Sequence, residues 1–285
     1  MTSGTTTSVV TTPLQHIAAT NGVTYAYKRL GTTTGTPVVF LQHFRGNIDN
    51  WDPQLIDAIA AERDVILFDN AGIGGTDGTT PNTVGAMAED AVAFIDALGL
   101  TGIDLFGYSL GGFVAQEIAL SRPALVNRLI LAGTGPKGAP GMERWSEDVV
   151  SAVVVDETGP ADVLYVFYAP TETSQAAGQA SLGRIYGWQD GRDEQPSLEA
   201  KNAQYTAVLD WGVQDWTAVQ RLRSITQPTL ILQGDDDIMI PTKASHTMAG
   251  LIPSARIRIF PNASHGSIFQ YADEAAAETI AFLTD

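Results

Sequence analysis

Short apolar runs alternate along this chain with longer stretches of helical period. VVFLQH (Val38–His43), VILFDN (Val65–Asn70), IDLFGYS (Ile103–Ser109), RLILAG (Arg128–Gly133), TLILQGD (Thr229–Asp235) and RIRIFPN (Arg256–Asn262) read as buried strands. Apolar runs of this length suit a parallel sheet covered on both faces. GVTYAYKRLG (Gly22–Gly31) partly alternates instead, and with Leu14–Ala19 it reads as an antiparallel edge hairpin.

Helical patterns fill the gaps. Val84, Met87, Ala88, Ala91, Ile95 and Leu98 fall on one helical face. Leu110–Ser121 follows the third run and stops at Arg122-Pro123, because a residue before proline avoids the α region. Ala275, Thr279, Ile280 and Leu283 place a narrow apolar stripe on a final helix. Strand and helix in alternation predict an α/β, doubly wound sheet with right-handed crossovers.

Between Gly135 and Thr226 the rhythm breaks, and no buried strand is predicted. GPKGAPG (Gly135–Gly141) reads as an exit hinge and SITQP (Ser224–Pro228) as the return. The helical segments between them carry Trp145, Trp188, Trp211 and Trp216, with Tyr165, Phe167 and Tyr168. The pattern predicts a helical insertion lying over the sheet, with GWQDGRDEQPS (Gly187–Ser197) as a polar loop inside it. The expected division is a loose tail over 1–13, a core over 14–135 and 226–285, and a helical cap over 136–225.

Composition narrows the function classes. At 285 residues and 44% hydrophobic, the chain is long enough to bury a core without staples. It has no cysteine, which removes disulfides, thiolate catalysis and cysteine metal sites. The formal charge of −16 repels phosphate backbones and anionic lipid, so neither nucleic acid nor a membrane is an expected partner. The Thr/Ser-rich start lacks the basic end and apolar core of a signal peptide, and no apolar run nears the ~20 residues a bilayer span needs. A cytoplasmic protein, monomeric or homodimeric, is the expectation.

One short stretch carries chemistry. Gly107-Tyr108-Ser109-Leu110-Gly111 matches G-x-S-x-G between a predicted strand and a predicted helix, the context that motif requires. A sharp strand-to-helix turn pushes the serine hydroxyl out of the sheet, and the Leu110 amide at the helix start points towards an oxyanion formed on attack. The competing reading, a serine that only caps the helix, needs no second glycine. A serine hydroxyl also needs a base. Of four histidines, His16 precedes the parallel sheet and His246 points away from an apolar helical face. His43 ends a strand but stands before the serine in the chain. His265 follows the last strand, at the carboxyl edge where ligands bind in such sheets. Asp235, Asp236 and Asp237 follow the preceding strand; such a run is often a solvated turn, yet one of them can face inward to orient the imidazole.

With these residues the chain resembles the α/β-hydrolase-fold superfamily, in its form of a serine hydrolase with a helical cap. The order Ser, Asp, His is that family's. Its G-x-x-D-x-x-x-P pattern matches Gly234 to Pro241 and implies Asp237 as the acid, and its S/G-H-G step matches Ser264-His265-Gly266. Its D-x-x-G-x-G-x-[ST] turn matches Asp69 to Thr76. The resemblance covers about residues 14–135 and 226–285, and the insertion matches only by position, as the variable cap. It implies a mostly parallel, twisted, eight-stranded sheet with helices on both faces.

The family also carries a His-Gly turn whose second residue lends an amide to the oxyanion. Here Phe44 stands in that glycine's place, so Phe44 and Leu110 are the implied oxyanion pair and His43 packs structurally. Arg45 can bind a substrate carboxylate, but a salt bridge to Asp49 or Asp52 is the expected role. The expected substrate pocket draws on Phe44, Arg45, Tyr108, Trp145, Trp188 and Trp211.

The expected chemistry is hydrolysis of a small, apolar carboxylic ester or lactone through Ser109, His265, Asp237 and an acyl-enzyme, with no metal or organic cofactor. A neutral base is required, so the rate is expected to fall as pH drops through roughly 6 to 7. Haloalkane dehalogenases and epoxide hydrolases of this fold use aspartate where Ser109 stands, which disfavours both. Perhydrolysis, C–C bond hydrolysis, thioester cleavage, hydroxynitrile lysis and a non-catalytic small-molecule receptor stay open, because fold does not determine function.

Overall fold

The computed structural model describes residues 8–188 and 190–284. Eight strands form one sheet in the order β1-β2-β4-β3-β5-β6-β7-β8. They are β1 (Gln15–Ala18), β2 (Thr24–Gly31), β3 (Val38–Leu41), β4 (Asp64–Phe68), β5 (Ile103–Tyr108), β6 (Val126–Ala132), β7 (Thr229–Gly234) and β8 (Ala255–Phe260). The pairs β1/β2 and β2/β4 are antiparallel and the rest parallel, so the hairpin read from the alternating segment forms one edge.

Side chains of successive strand residues point to opposite faces. Val39, Leu41 and Leu105 therefore enter one core and Val38, Phe40 and Phe106 the other. The first is covered by α2 (Val84–Ala97), α3 (Leu110–Ser121) and α9 (Thr242–Leu251), the second by α1 (Pro53–Ala60) and α11 (Ala272–Thr284), with α10 (Ser267–Gln270) beside it. The predicted stripe of α2 is buried from Val84 to Ile95, with Phe94 added. β8 departs from the continuous-run expectation. Arg256 and Arg258 are exposed in alternation with half-buried neighbours, because an edge strand is covered on one side only.

Between β6 and β7 the chain forms α4 (Glu147–Val153), α5 (Pro160–Phe167), α6 (Glu172–Ile185), α7 (Leu198–Gly212) and α8 (Trp216–Gln220). Of these, α4, α5, α7 and α8 share the core of the α2–α3 face through Val149, Val166, Trp211 and Val219, whereas Ile185 of α6 joins the other core. The predicted exit hinge is pinned: the Gly138 amide donates to the Trp211 carbonyl at 2.9 Å and the Asp215 amide to the Gly138 carbonyl at 3.1 Å. The expected tail is docked at its inner end. Val9 is buried, its amide donates to Asp57 Oδ1 at 2.7 Å, and Lys28 Nζ donates to its carbonyl at 3.1 Å. The first seven residues of that expected tail lie outside the described residues.

Candidate active site

β5 ends at Tyr108 and α3 begins at Leu110, leaving Ser109 as the single residue of the turn. Its φ of 55° and ψ of −118° lie where side chains are rarely found. A backbone so strained, at a cost of about 1–3 kcal/mol, persists only where neighbours fix it. The Ser109 amide donates to Ala132 at 2.8 Å, and Thr134 Oγ1 donates to the Ser109 carbonyl at 2.8 Å. The flanking glycines are required by close approach. A Cβ on Gly107 would stand 2.5 Å from the Gly111 carbonyl oxygen, and one on Gly111 would stand 2.1 Å from that of Leu41.

The turn brings Ser109 Oγ to 2.9 Å from His265 Nε2, and His265 Nδ1 lies 2.9 Å from Asp237 Oδ2. All three side chains are buried. Asp237 is aimed by its own loop, its Oδ1 accepting from the Met239 amide at 2.8 Å and the Ile240 amide at 2.9 Å. An ionised carboxylate only accepts, so the imidazole proton sits on Nδ1 and Nε2 receives the serine O–H. Asp235 and Asp236 are exposed, and Asp235 Oδ1 instead accepts from the Ala263 amide. The structure thus brings together the three residues that motif and chain order single out.

The amides of Phe44 and Leu110 have no protein acceptor among the described residues. Phe44 lines a cavity of about 70 Å³ with Ser109 and His265. His43 lines it too, donating from Nδ1 to the Phe44 carbonyl at 2.8 Å. Burial, helped by the nearby His265, pushes the His43 pKa down to about 4. His43 is therefore neutral and fixed as one tautomer, a wall of the cavity that also helps to shape the Phe44 peptide. His246 is exposed, as expected.

The expected pocket is corrected in part. Phe44 and Arg45 line the cavity. Tyr108 lies behind it, stacked on the His265 ring with its hydroxyl donating to the His265 carbonyl at 2.9 Å. Trp145 packs on the far side of Phe44, between it and Tyr205. Trp188 lies under Lys28 and Arg192, and Trp211 stacks on Phe113 with Nε1 bonded to the Gly135 carbonyl. These rings hold the insertion to the core. The lining that sequence reasoning missed includes Asn50, Thr158, Phe167, Tyr186, Gln195 and Met239. Of these only Phe167 carried a signal, as one of a cluster of insertion aromatics.

Arg45 makes no salt bridge to Asp49 or Asp52. Asp52 is held bidentately by Arg184 of the insertion at 2.7 and 2.8 Å, and Asp49 Oδ1 lies 3.6 Å from Lys28 Nζ. The Arg45 guanidinium instead donates to the carbonyl of Val153, the last residue of α4, and to those of Val155 and Asp156 just beyond it. Helix carbonyls there lack partners of their own and attract cations, which the expectation of a local ion pair overlooked.

Among the described residues no helix is long and apolar enough to cross a membrane. A solved structure of an alpha/beta hydrolase fold protein from Chitinophaga pinensis is 35% identical, with a TM-score of 0.91, covering 97% of this chain and 99% of that one. A non-heme haloperoxidase of Rhodococcus erythropolis is 28% identical over 94% of this chain and 98% of its own. A poly(3-hydroxyalkanoate) depolymerase of Ectopseudomonas oleovorans is 28% identical over 87% of this chain and 84% of its own. The family model described as alpha/beta hydrolase fold matches residues 36–271. With that match spanning most of the chain, and the sheet order and turn at Ser109 described above, the chain belongs to the alpha/beta hydrolase fold family.

Proposed function

We propose that the protein is a serine hydrolase of small carboxylic esters or lactones, with the insertion as its cap. The observation that carries this reading is the relay of two 2.9 Å contacts from Asp237 through His265 to Ser109, at the wall of a cavity. His265 Nε2 takes the Ser109 proton as Oγ attacks the carbonyl carbon. The Phe44 and Leu110 amides receive the oxyanion, each such donor being worth about 3–4 kcal/mol at the transition state. The C–O bond breaks, His265 returns the proton to the leaving alcohol, and the acyl-enzyme remains. Water then attacks with His265 as base, and the acid leaves. Asp237 holds the imidazole aligned and stabilises its charged form.

A second reading is supported by the likeness to the non-heme haloperoxidase over nearly the whole chain. Hydrogen peroxide would replace water in the second attack and release a peracid. The test is a panel of p-nitrophenyl esters, lactones, thioesters, and hydrogen peroxide with acetate, run beside a fluorophosphonate probe. Ester turnover and labelling are expected in the native chain and in neither case for Ser109→Ala. Peracid formation without ester turnover would select the second reading. A native chain inert to the probe and to every substrate would favour a small-molecule receptor.

A further inference from the structure

The mouth of the same cavity holds an arrangement that ester hydrolysis does not require. Arg45 is buried, and every acceptor in contact with its guanidinium is neutral. Nη1 donates to the Val153 carbonyl at 3.2 Å and the Val155 carbonyl at 2.6 Å. Nη2 donates to the Asp156 carbonyl at 2.9 Å and to Gln195 Oε1 at 3.2 Å. The Asp156 carboxylate acts on it only at longer range, since that side chain is 79% exposed and lies 3.5 Å from Lys201 Nζ. Lys201 is itself buried and donates to the Val154 carbonyl at 3.0 Å. Two buried cations therefore face one solvated carboxylate. A buried charge left so incompletely paired is costly and favours an anion that can reach it.

Gln195 marks where that anion fits. Arginine only donates, so the amide atom facing Arg45 is the oxygen. The same oxygen also lies 3.3 Å from the Thr158 amide and 3.2 Å from Thr158 Oγ1. Three donors thus converge at long distance on one neutral oxygen with two lone pairs. A carboxylate oxygen would accept the same donors with full charge, and charge-assisted bonds are shorter and roughly twice as strong. Arg45, Thr158 and Gln195 all line the cavity that holds Ser109. Gln195 is exposed, on a segment that is neither helix nor strand, and to give way its side chain exchanges for water only the 3.1 Å bond from its Nε2 to the Thr158 carbonyl and the long contacts to its Oε1.

We propose that Arg45 and Thr158 form an anion subsite in which Gln195 Oε1 occupies the place of a substrate carboxylate, so that the preferred ester carries a carboxylate of its own. For turnover this rests on the serine-hydrolase reading; for binding it stands alone. The net charge of −16 opposes an anion at long range. That repulsion is screened over about 8 Å at physiological salt, whereas the guanidinium acts at contact in a dry wall.

The experiment pairs binding with turnover. Adipate is titrated calorimetrically into the native chain, Gln195→Ala and Gln195→Glu, and mono-p-nitrophenyl adipate is compared with p-nitrophenyl hexanoate as substrate. Removing the amide frees the three donors, so Gln195→Ala should bind adipate at least as tightly as the native chain. A glutamate supplies the carboxylate internally, so Gln195→Glu should bind at least tenfold more weakly. The ratio of kcat/KM for the two esters should fall in the same order. A merely structural Gln195 would weaken both variants in parallel, and that result, or a native chain that does not bind adipate, overturns the subsite. Ordered adipate binding without hydrolysis of either ester would support the subsite and count against the esterase.

Discussion

Ser109 holds its unusual backbone because Ala132, Thr134 and two flanking glycines leave no other path for the chain. The contact most open to a clean test is one step back, at Asp237. Its Oδ1 is already committed to the amides of Met239 and Ile240. In Asp237→Asn the amide oxygen keeps those bonds, so the amide N–H must face His265 Nδ1. That forces the ring proton to Nε2, where it blocks transfer from Ser109. The expected outcome is a kcat about 10⁴-fold lower, as for a triad acid elsewhere, with a modest fall in melting temperature because buried Gln233 Nε2 loses its acceptor at Asp237 Oδ2. A loss under tenfold would show that Asp237 does not set the tautomer. Acidification adds a second constraint. His43 titrates near 4, so a fall in rate at higher pH cannot be assigned to it. These residues were legible because each stands just past a strand, inside a short motif. Arg45 was legible as a pocket residue but its partners were not, since the carbonyls and amide it holds lie 108 to 150 residues away and no local pattern carries them.

The segment between α6 and α7 shows what an element gains from tertiary contacts. In sequence it is only a polar loop, yet it ties the insertion to the core. The Asp193 amide donates to Asp49 Oδ2 at 2.9 Å, and the Asn47 side chain donates to the Glu194 carbonyl at 3.2 Å. Beside them Asp69 accepts from the amides of Ile48 and Gly75, and its carboxyl meets that of Asp193 over Gly74. Burial pushes the Asp69 pKa up to about 8, with Asp193 and Asp49 adding to the rise. At neutral pH Asp69 therefore keeps its proton and donates it to Asp193. The unfolded chain releases that proton near 3.9. Between these values the folded state binds more protons, so stability falls as pH rises, by at most about 1.4 kcal/mol per unit, and the slope ends above the folded pKa. Asp69→Asn mimics the protonated form and has no proton to lose. Urea unfolding from about pH 5 to 8 should show the native chain losing stability relative to the variant; parallel profiles would mean that Asp69 ionises normally. The strands themselves were legible because apolar runs record burial directly, and their ends shifted by no more than two residues. The loop was not, because its carboxyl pair forms only once two distant segments meet.

Across the whole molecule, alternating strands and helices announced the sheet, and the gap in that rhythm announced the insertion. What the chain could not announce is the space between them, a residue of packing rather than a pattern. That space is small. The cavity at Ser109 shares His43, Asn50, Phe167 and Tyr186 with a second chamber of about 30 Å³ walled also by Val163, Leu182, Ile185 and Phe269. The two spaces measure about 70 and 30 Å³. If the proposed esterase reading holds, a short acyl group would place its carbonyl at Ser109 and its tail in the apolar chamber, while a long one would have to displace the insertion. That displacement would break the Arg184–Asp52 pair and the Arg45 bonds to the carbonyls of Val153, Val155 and Asp156, which tie the insertion to the core. For p-nitrophenyl esters, kcat/KM is accordingly expected to peak at or below hexanoate and to fall at least tenfold by decanoate. Leu182→Ala lengthens the chamber without touching Ser109, His265 or Asp237, and should move the optimum to longer chains. An optimum that stays fixed in that variant, or a native profile that still rises at decanoate, would place the acyl chain outside the chamber and leave the insertion to govern entry alone.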